Sequence, residues 1–360
     1  MTELSDILRK QIKTTGPLTI AQYMATCLLH PTHGYYTTQE AFGAAGDFTT
    51  SPEISQMFGE MIGLCLAQCW MDQGQPANCV LAELGPGRGT LMADVMRATK
   101  GVPGFHDAVR LHLIEASPRL RALQATALRG YDPVWHESVD GLPDDGPVFC
   151  IANEFFDALP IRQFQRDPNG WREVMVGLTE DDSLHRGLSD AAPIEALDHR
   201  LDDTDVGVLV ETGAHATAVM DTLARRILDG GGAALIIDYG GWRSVGDTFQ
   251  AVQAHQPTDP FTAPGHADLT AHVDFEPLAD TAQAIGCAVT PLTSQGVFLE
   301  RLGITARAQG LAKSLGGTAL ESHVAAHRRL THPEEMGSLF KVLGIHSPAS
   351  PPPPGLVHDA

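Results

Sequence analysis

One stretch constrains the fold more than any other. Cys79-Val80-Leu81-Ala82-Glu83-Leu84 reads as a short buried strand, Gly85-Pro86-Gly87-Arg88-Gly89-Thr90 as a glycine turn, and Leu91 to Thr99 as a helix. Glycines at alternate positions let the backbone turn sharply and approach a ligand where a Cβ would collide with it. Strand, glycine turn and helix in that order are the opening of an α/β nucleoside-cofactor domain.

The spacing is Glu-x-Gly-x-Gly-x-Gly, not the Gly-x-Gly-x-x-Gly of dinucleotide folds, and no Lys follows to hold a phosphate. An acid closing the strand repels a pyrophosphate and suits a cationic ligand. S-adenosylmethionine, with its sulfonium and ammonium, meets that requirement. A second strand, Val109 to Ile114, ends in Glu115, and Ser117 with Pro118 caps and opens the next helix. Glu115 is thereby placed to accept ribose hydroxyls. The expected cofactor residues are Glu83, Gly85, Gly87, Gly89 and Glu115.

Composition limits the partners. The 360 residues are 43% hydrophobic, enough to bury a sizeable core, and carry a net charge of −20. That charge disfavours nucleic acid, whose phosphates need clustered Lys and Arg, and favours a cationic substrate. Cysteines 27, 65, 69, 79, 150 and 287 form no Cys-x-x-Cys pair and suit reduced structural thiols. The 16 histidines show no His-Glu-x-x-His spacing and no Cys/His cluster, so no metal is expected. Apolar runs are too short for a membrane span or a signal peptide, and a soluble cytoplasmic protein is the expectation.

Along the chain, an N-terminal region over 1–75 holds an amphipathic helix through Leu4, Ile7, Leu8 and Ile12, a second helix from Leu18 to Leu29, and a loop from Thr32 to Ser55 that is either a lid or an ordered surface loop. Ser51 and Pro52 are expected to open a helix running to Asp72. The core spans 76–300, with strands at 131–136, 147–152 and 233–240 and an inserted subdomain at about 161–212. Residues 240–264 read as a long loop, 272–286 as a helix and 287–293 as a late strand. Helical patterns fill 301–346, and the proline-rich 347–360 reads as a disordered tail.

Asn153, Glu154 and Asp157 follow the strand 147–152, and Asp238 closes the strand 233–240. Ligands of open α/β sheets are handled at the carboxyl ends of strands, so these are the chemical candidates. Asn153 is assigned to the cofactor. Glu154, supported by Asp157 or Asp238, is assigned to a cationic acceptor, with helix capping as the plain alternative for the carboxylates.

Several further stretches carry a resemblance: His30-Pro-Thr-His-Gly-Tyr-Tyr36, Phe42 to Glu60, Glu83 to Leu91, Ala152-Asn-Glu-Phe-Phe-Asp-Ala-Leu-Pro160, Ile237-Asp-Tyr-Gly240, Ala267 to Phe275 and Gln295-Gly-Val-Phe-Leu299. Together these resemble the MidA family, relatives of the mitochondrial complex I assembly-factor protein-arginine methyltransferase. The resemblance implies a Rossmann-like, seven-strand class I S-adenosylmethionine-dependent methyltransferase acting on an arginine ω-nitrogen of a protein, such as a complex I subunit. The lack of a presequence before the first helix points to a bacterial member. Two readings compete with it: a methyltransferase for another small-molecule or protein acceptor, and an assembly chaperone with a structural cofactor.

Overall fold

The computed structural model of the protein describes residues 2–38 and 49–356. The chain divides into two compact units. The first gathers 1–48, 157–217 and 241–274, and the second 49–156, 218–240 and 275–360. The insertion expected at about 161–212 thus belongs to a unit that also takes in the N-terminal helices. Residues 39–48, the middle of the candidate lid, lie outside the described residues.

The second unit is built on a mixed sheet with seven principal strands: β1 (Cys79–Leu84), β2 (Val109–Ile114), β3 (Val134–His136), β4 (Val148–Asn153), β5 (Gly232–Gly241), β6 (Ala288–Val289) and β7 (Phe340–His346). Their spatial order is β6-β7-β5-β4-β1-β2-β3. β1 to β5 are mutually parallel, while β7 runs antiparallel to both β5 and β6. Every residue of β1 and β4 is buried, as expected for parallel strands covered on both faces. From β1 the chain winds outward through β2 and β3 on one side and through β4 and β5 on the other. The gap between the carboxyl ends of β1 and β4 is therefore the topological switch point, where open sheets receive ligands.

Three helices frame that point: α1 (Gln56–Asp72), α2 (Thr90–Thr99) and α3 (Pro118–Ala127). The single helix expected to run to Asp72 is broken. Ser51–Ile54 makes one turn, Ser55 is extended at φ −160°, and its hydroxyl then accepts the Met57 N–H at 3.2 Å to start α1. A serine fits this place because its side chain caps a new helix as readily as it interrupts an old one.

Two other expectations change in this unit. The helical pattern extending to Leu343 gives way to β7, since the short apolar run Val342-Leu343-Gly344-Ile345 has no period of its own and is decided by pairing with β5. The expected tail is instead anchored near its end: Leu356 is 1% exposed in the main core, and the Cys65 thiol donates to the Pro354 carbonyl at 3.5 Å. Residues 357–360 lie outside the described residues.

In the first unit, the helices Glu3–Thr15 and Ile20–Leu29 share a core with strand residues Val174 and Val176 and with Phe249 and Leu269. The two residues before the second helix, Leu18–Thr19, are not helical but a short strand paired with Met175 and Val176. The expected long loop 240–264 contains strands instead: Gln250–Gln253 pairs with Gln256–Thr258 and with Asp268–Thr270. Its hairpin turns on Ala254 and His255, both at positive φ, +50° and +60°. That is the geometry of a type I′ turn made without the Asn or Gly that announces one in sequence. No helix among the described residues is long and apolar enough to cross a membrane.

Candidate functional site

Glu83 is the next-to-last residue of β1 and only 3% exposed. Burial pushes its carboxyl up to about 8, against a partial lowering by the Met92 backbone N–H, and Glu115 raises it further. Near neutral pH this burial favours the protonated form of the acid. Its Oε2 is buried with no hydrogen-bond partner among the described residues. Across the switch point, Asn153 closes β4 at 7% exposure, and its Oδ1 is in the same condition. Two orphaned acceptors on adjacent strand ends would cost several kcal/mol, roughly 1–3 each, in a site meant to stay empty.

The turn after β1 is glycine for steric reasons. Gly85 sits at φ +63°, and a Cβ there would lie 2.8 Å from the Phe155 ring. Gly89, at φ +84°, is the N-cap of α2, and its Cβ would press on α3 at 3.3 Å from Gln124 Cα. Gly87 is also left-handed, at φ +53°. The N-terminus of α2 therefore opens directly off the turn, a geometry that suits negatively charged ligand groups.

Glu115 follows β2 and is 8% exposed. The Ser117 N–H donates to its Oε1 at 2.8 Å and the Gln124 amide to its Oε2 at 3.1 Å. Burial raises its pKa, while those donors and Arg121 pull it down. Ser117 caps α3 as expected, accepting from the Leu120 N–H at 3.4 Å. Gln124 was not expected at the site. Its one advance signal is that it is polar on the buried stripe of α3, between Leu120 and Leu128.

The acid expected to meet an acceptor, Glu154, adopts φ +51°, a left-handed conformation uncommon for a residue with a side chain. Its Oε1 accepts the Ser51 N–H at 2.8 Å and the Asn153 amide at 3.1 Å. Ser51 also donates to Gln295 at 3.5 Å, and Glu53 accepts the Thr90 hydroxyl at 2.6 Å beside the glycine turn. The Ser-Pro-Glu-Ile turn is thus fastened to both β4 and α2.

The other two carboxylates stand differently. Asp238 is fully buried, and its oxygens accept the backbone N–H groups of Phe155 at 3.2 Å, Phe156 at 3.0 Å and Tyr239 at 2.9 Å. It thereby holds the backbone that follows Glu154. Asp157 is packed in the first unit, where the Tyr36 hydroxyl donates to Asp268 at 3.0 Å. Burial raises the Tyr36 pKa most, followed by Asp268 and then Asp157.

Known proteins place this arrangement. Residues 61–293 match the family model described as "Putative S-adenosyl-L-methionine-dependent methyltransferase". A zebrafish (Danio rerio) protein, protein arginine methyltransferase NDUFAF7, mitochondrial, is 38% identical over 94% of this chain and 85% of its own length. The human (Homo sapiens) protein of the same name is 36% identical over 94% of this chain and 82% of its own. A crystal structure from Burkholderia thailandensis bound to S-adenosyl-homocysteine superposes with a TM-score of 0.83 at 26% identity, covering 99% of this chain and 92% of that one.

These relatives correct the expectation of a bacterial cytoplasmic protein, because the curated relatives are named as mitochondrial. The six cysteines are free and buried. The remaining expectations about fold and cofactor agree with the match. With its glycine turn and acids gathered at the switch point of this sheet and the family match running through most of the core, the chain belongs to the S-adenosyl-L-methionine-dependent methyltransferases.

Proposed function

We propose that the protein methylates an arginine ω-nitrogen of another protein, with a respiratory complex I subunit as its client. The names of the relatives support an arginine acceptor, and the resemblance to the MidA family supports the client. The observation that carries the reading is the pair of buried, unsatisfied acceptors, Glu83 Oε2 and Asn153 Oδ1, at adjacent strand ends. They fit a ligand that is cationic and rich in donors.

Bound there, S-adenosylmethionine supplies an electrophilic methyl on sulfur. Glu83 and Asn153 hold its donor groups, and Glu115 receives its ribose hydroxyls through the acceptor capacity left by Ser117 and Gln124. Glu154 takes the guanidinium. A guanidinium is a weak nucleophile because its lone pairs are delocalised, so a carboxylate that draws positive charge toward the far nitrogens favours attack by the near one. The Ser51 N–H and the Asn153 amide hold that carboxylate in place before the substrate arrives, which is the ordering that accelerates a displacement.

The test is incubation of the purified protein with S-adenosylmethionine carrying a labelled methyl and with dissociated complex I subunits, followed by peptide mapping. Label on an arginine side chain supports the reading. Label only on another residue type or on a small molecule would replace the acceptor, and failure to bind the cofactor would remove the whole reading.

A further inference from the structure

The Gln124 side chain joins the glycine turn to the acid of the neighbouring strand. It lies on α3 and is wholly buried. Its Nε2 donates to the Gly87 carbonyl at 2.9 Å and to Glu115 Oε2 at 3.1 Å, while its Oε1 accepts the Trp135 indole N–H at 2.8 Å. A primary amide has two protons and one strongly accepting oxygen, and here each is engaged. No other uncharged side chain of this size gives two donors and an acceptor from one plane.

Each of the three partners is a different piece of the site. Gly87 is the centre of the turn, at φ +53°, and its peptide is planar and trans, so fixing its carbonyl on Gln124 directs the following N–H, that of Arg88, the opposite way. Glu115 carries the acceptor for ribose, and Gln124 takes one of its two oxygens, leaving the carboxylate a single orientation. Trp135 lies on β3, beside His136, whose carbonyl accepts the Glu115 N–H at 2.9 Å. The edge strand thus holds Glu115 twice, once directly and once through Gln124.

From this geometry we infer that Gln124 is a positioning residue for the cofactor: it sets the glycine turn and Glu115 in the relative placement that S-adenosylmethionine requires. The inference rests on the methyltransferase reading of the site. It contacts no reacting atom, so its removal acts on cofactor affinity and leaves the chemical step at saturation largely intact.

The experiment measures S-adenosylmethionine binding by calorimetry on the full chain, together with kcat and the cofactor KM. Wild-type binding tests the functional reading by itself. Gln124→Leu, which keeps size and loses all three bonds, should raise Kd and KM at least ~10-fold, about 1.4 kcal/mol, with kcat at saturation within about twofold. Gln124→Glu keeps the acceptor for Trp135, sets an acid against Glu115, and serves if the leucine variant does not fold. It should bind more weakly as pH rises, by more than wild type does. In a Glu115→Gln background, Gln124→Leu should cost less than in wild type, because the bond between the two residues is already lost and only those to Gly87 and Trp135 remain to be removed. A folded Gln124→Leu or Gln124→Glu protein with wild-type Kd, or fully additive costs in the double variant, would overturn the inference.

Discussion

The backbone N–H of Ser51 donates to Glu154 Oε1 at 2.8 Å, across 103 positions of sequence. That bond ties the Ser51–Ile54 turn to the residue that follows β4. It also fixes one carboxylate oxygen, with the Asn153 amide, before any substrate is present. A group held in this way works by geometry, so exchanging its charge should change rate more than binding. Glu154→Gln is expected to lower kcat at least ~10-fold, about 1.4 kcal/mol, with cofactor affinity unchanged. Steady-state kinetics beside calorimetry checks this, and a variant with normal turnover would remove Glu154 from catalysis.

The left-handed backbone of Glu154 gives a second expectation. A non-glycine residue at φ +51° costs roughly 1 kcal/mol, which glycine avoids. Glu154→Gly should therefore resist denaturant about as well as wild type or better, offsetting the lost side-chain bonds, while losing methyl transfer. A large fall in the urea midpoint would mean that the side chain serves stability first.

Asp238→Asn retains the shape of the side chain but leaves it one oxygen in place of two for three backbone donors. At least one buried N–H group is then unsatisfied, a loss of about 1–3 kcal/mol. Because Phe155, one of those donors, packs its ring against Gly85, the cofactor should bind more weakly too. Equilibrium unfolding and calorimetry on the same sample test both halves. Unchanged stability would show that the loop holds its place without Asp238.

Glu83 makes stability depend on pH in a definite direction. Its folded value, about 8, lies above the ordinary 4.5, so between the two the folded chain keeps a proton that the unfolded chain has released. Stability from this residue is complete below the unfolded value and is lost as pH rises through the folded one. Glu83→Gln, neutral throughout, should show a smaller decline between about pH 5 and pH 8 than wild type. Binding of a cationic cofactor at neutral pH should release a proton from wild-type Glu83, read as a dependence of the calorimetric heat on buffer ionisation. Identical slopes and no buffer dependence would mean that the acid is ionised throughout.

Leu356 fills the main core at 1% exposure, so Leu356→Ala should destabilise by about 2–5 kcal/mol. A shift under roughly 0.5 kcal/mol would place the segment outside the cooperative unit.

The residues assigned to the cofactor are legible in the sequence because they are local. Glu83 and the three glycines lie within seven residues, and Glu115 stands next to the Ser-Pro pair that opens α3. Asn153 and Glu154 stand out because a buried strand visibly stops there. Partners that meet across long separations gave no such signal. Ser51 reads only as a helix cap, although its N–H serves Glu154, and Gln124 reads as one polar residue on a helix. Asp238 shows the converse limit: β5 runs three residues past it to Gly241, and three backbone N–H groups bond to its carboxylate. Among the elements, the hairpin at Ala254 and His255 and the strand β7 were missed because tertiary pairing, not residue preference, decided them.

β7 pairs with β5 from Ala233 opposite His346 to Tyr239 opposite Phe340, and it separates β5 from β6. During synthesis, β5 therefore emerges more than a hundred residues before its second neighbour, keeping one edge bare until position 346 has been made. A product released early retains that edge, and an unpaired strand edge invites aggregation and capture by chaperones. The strand that bears Asp238 thus reports on the completeness of translation: a prematurely terminated chain cannot close the sheet around its own site.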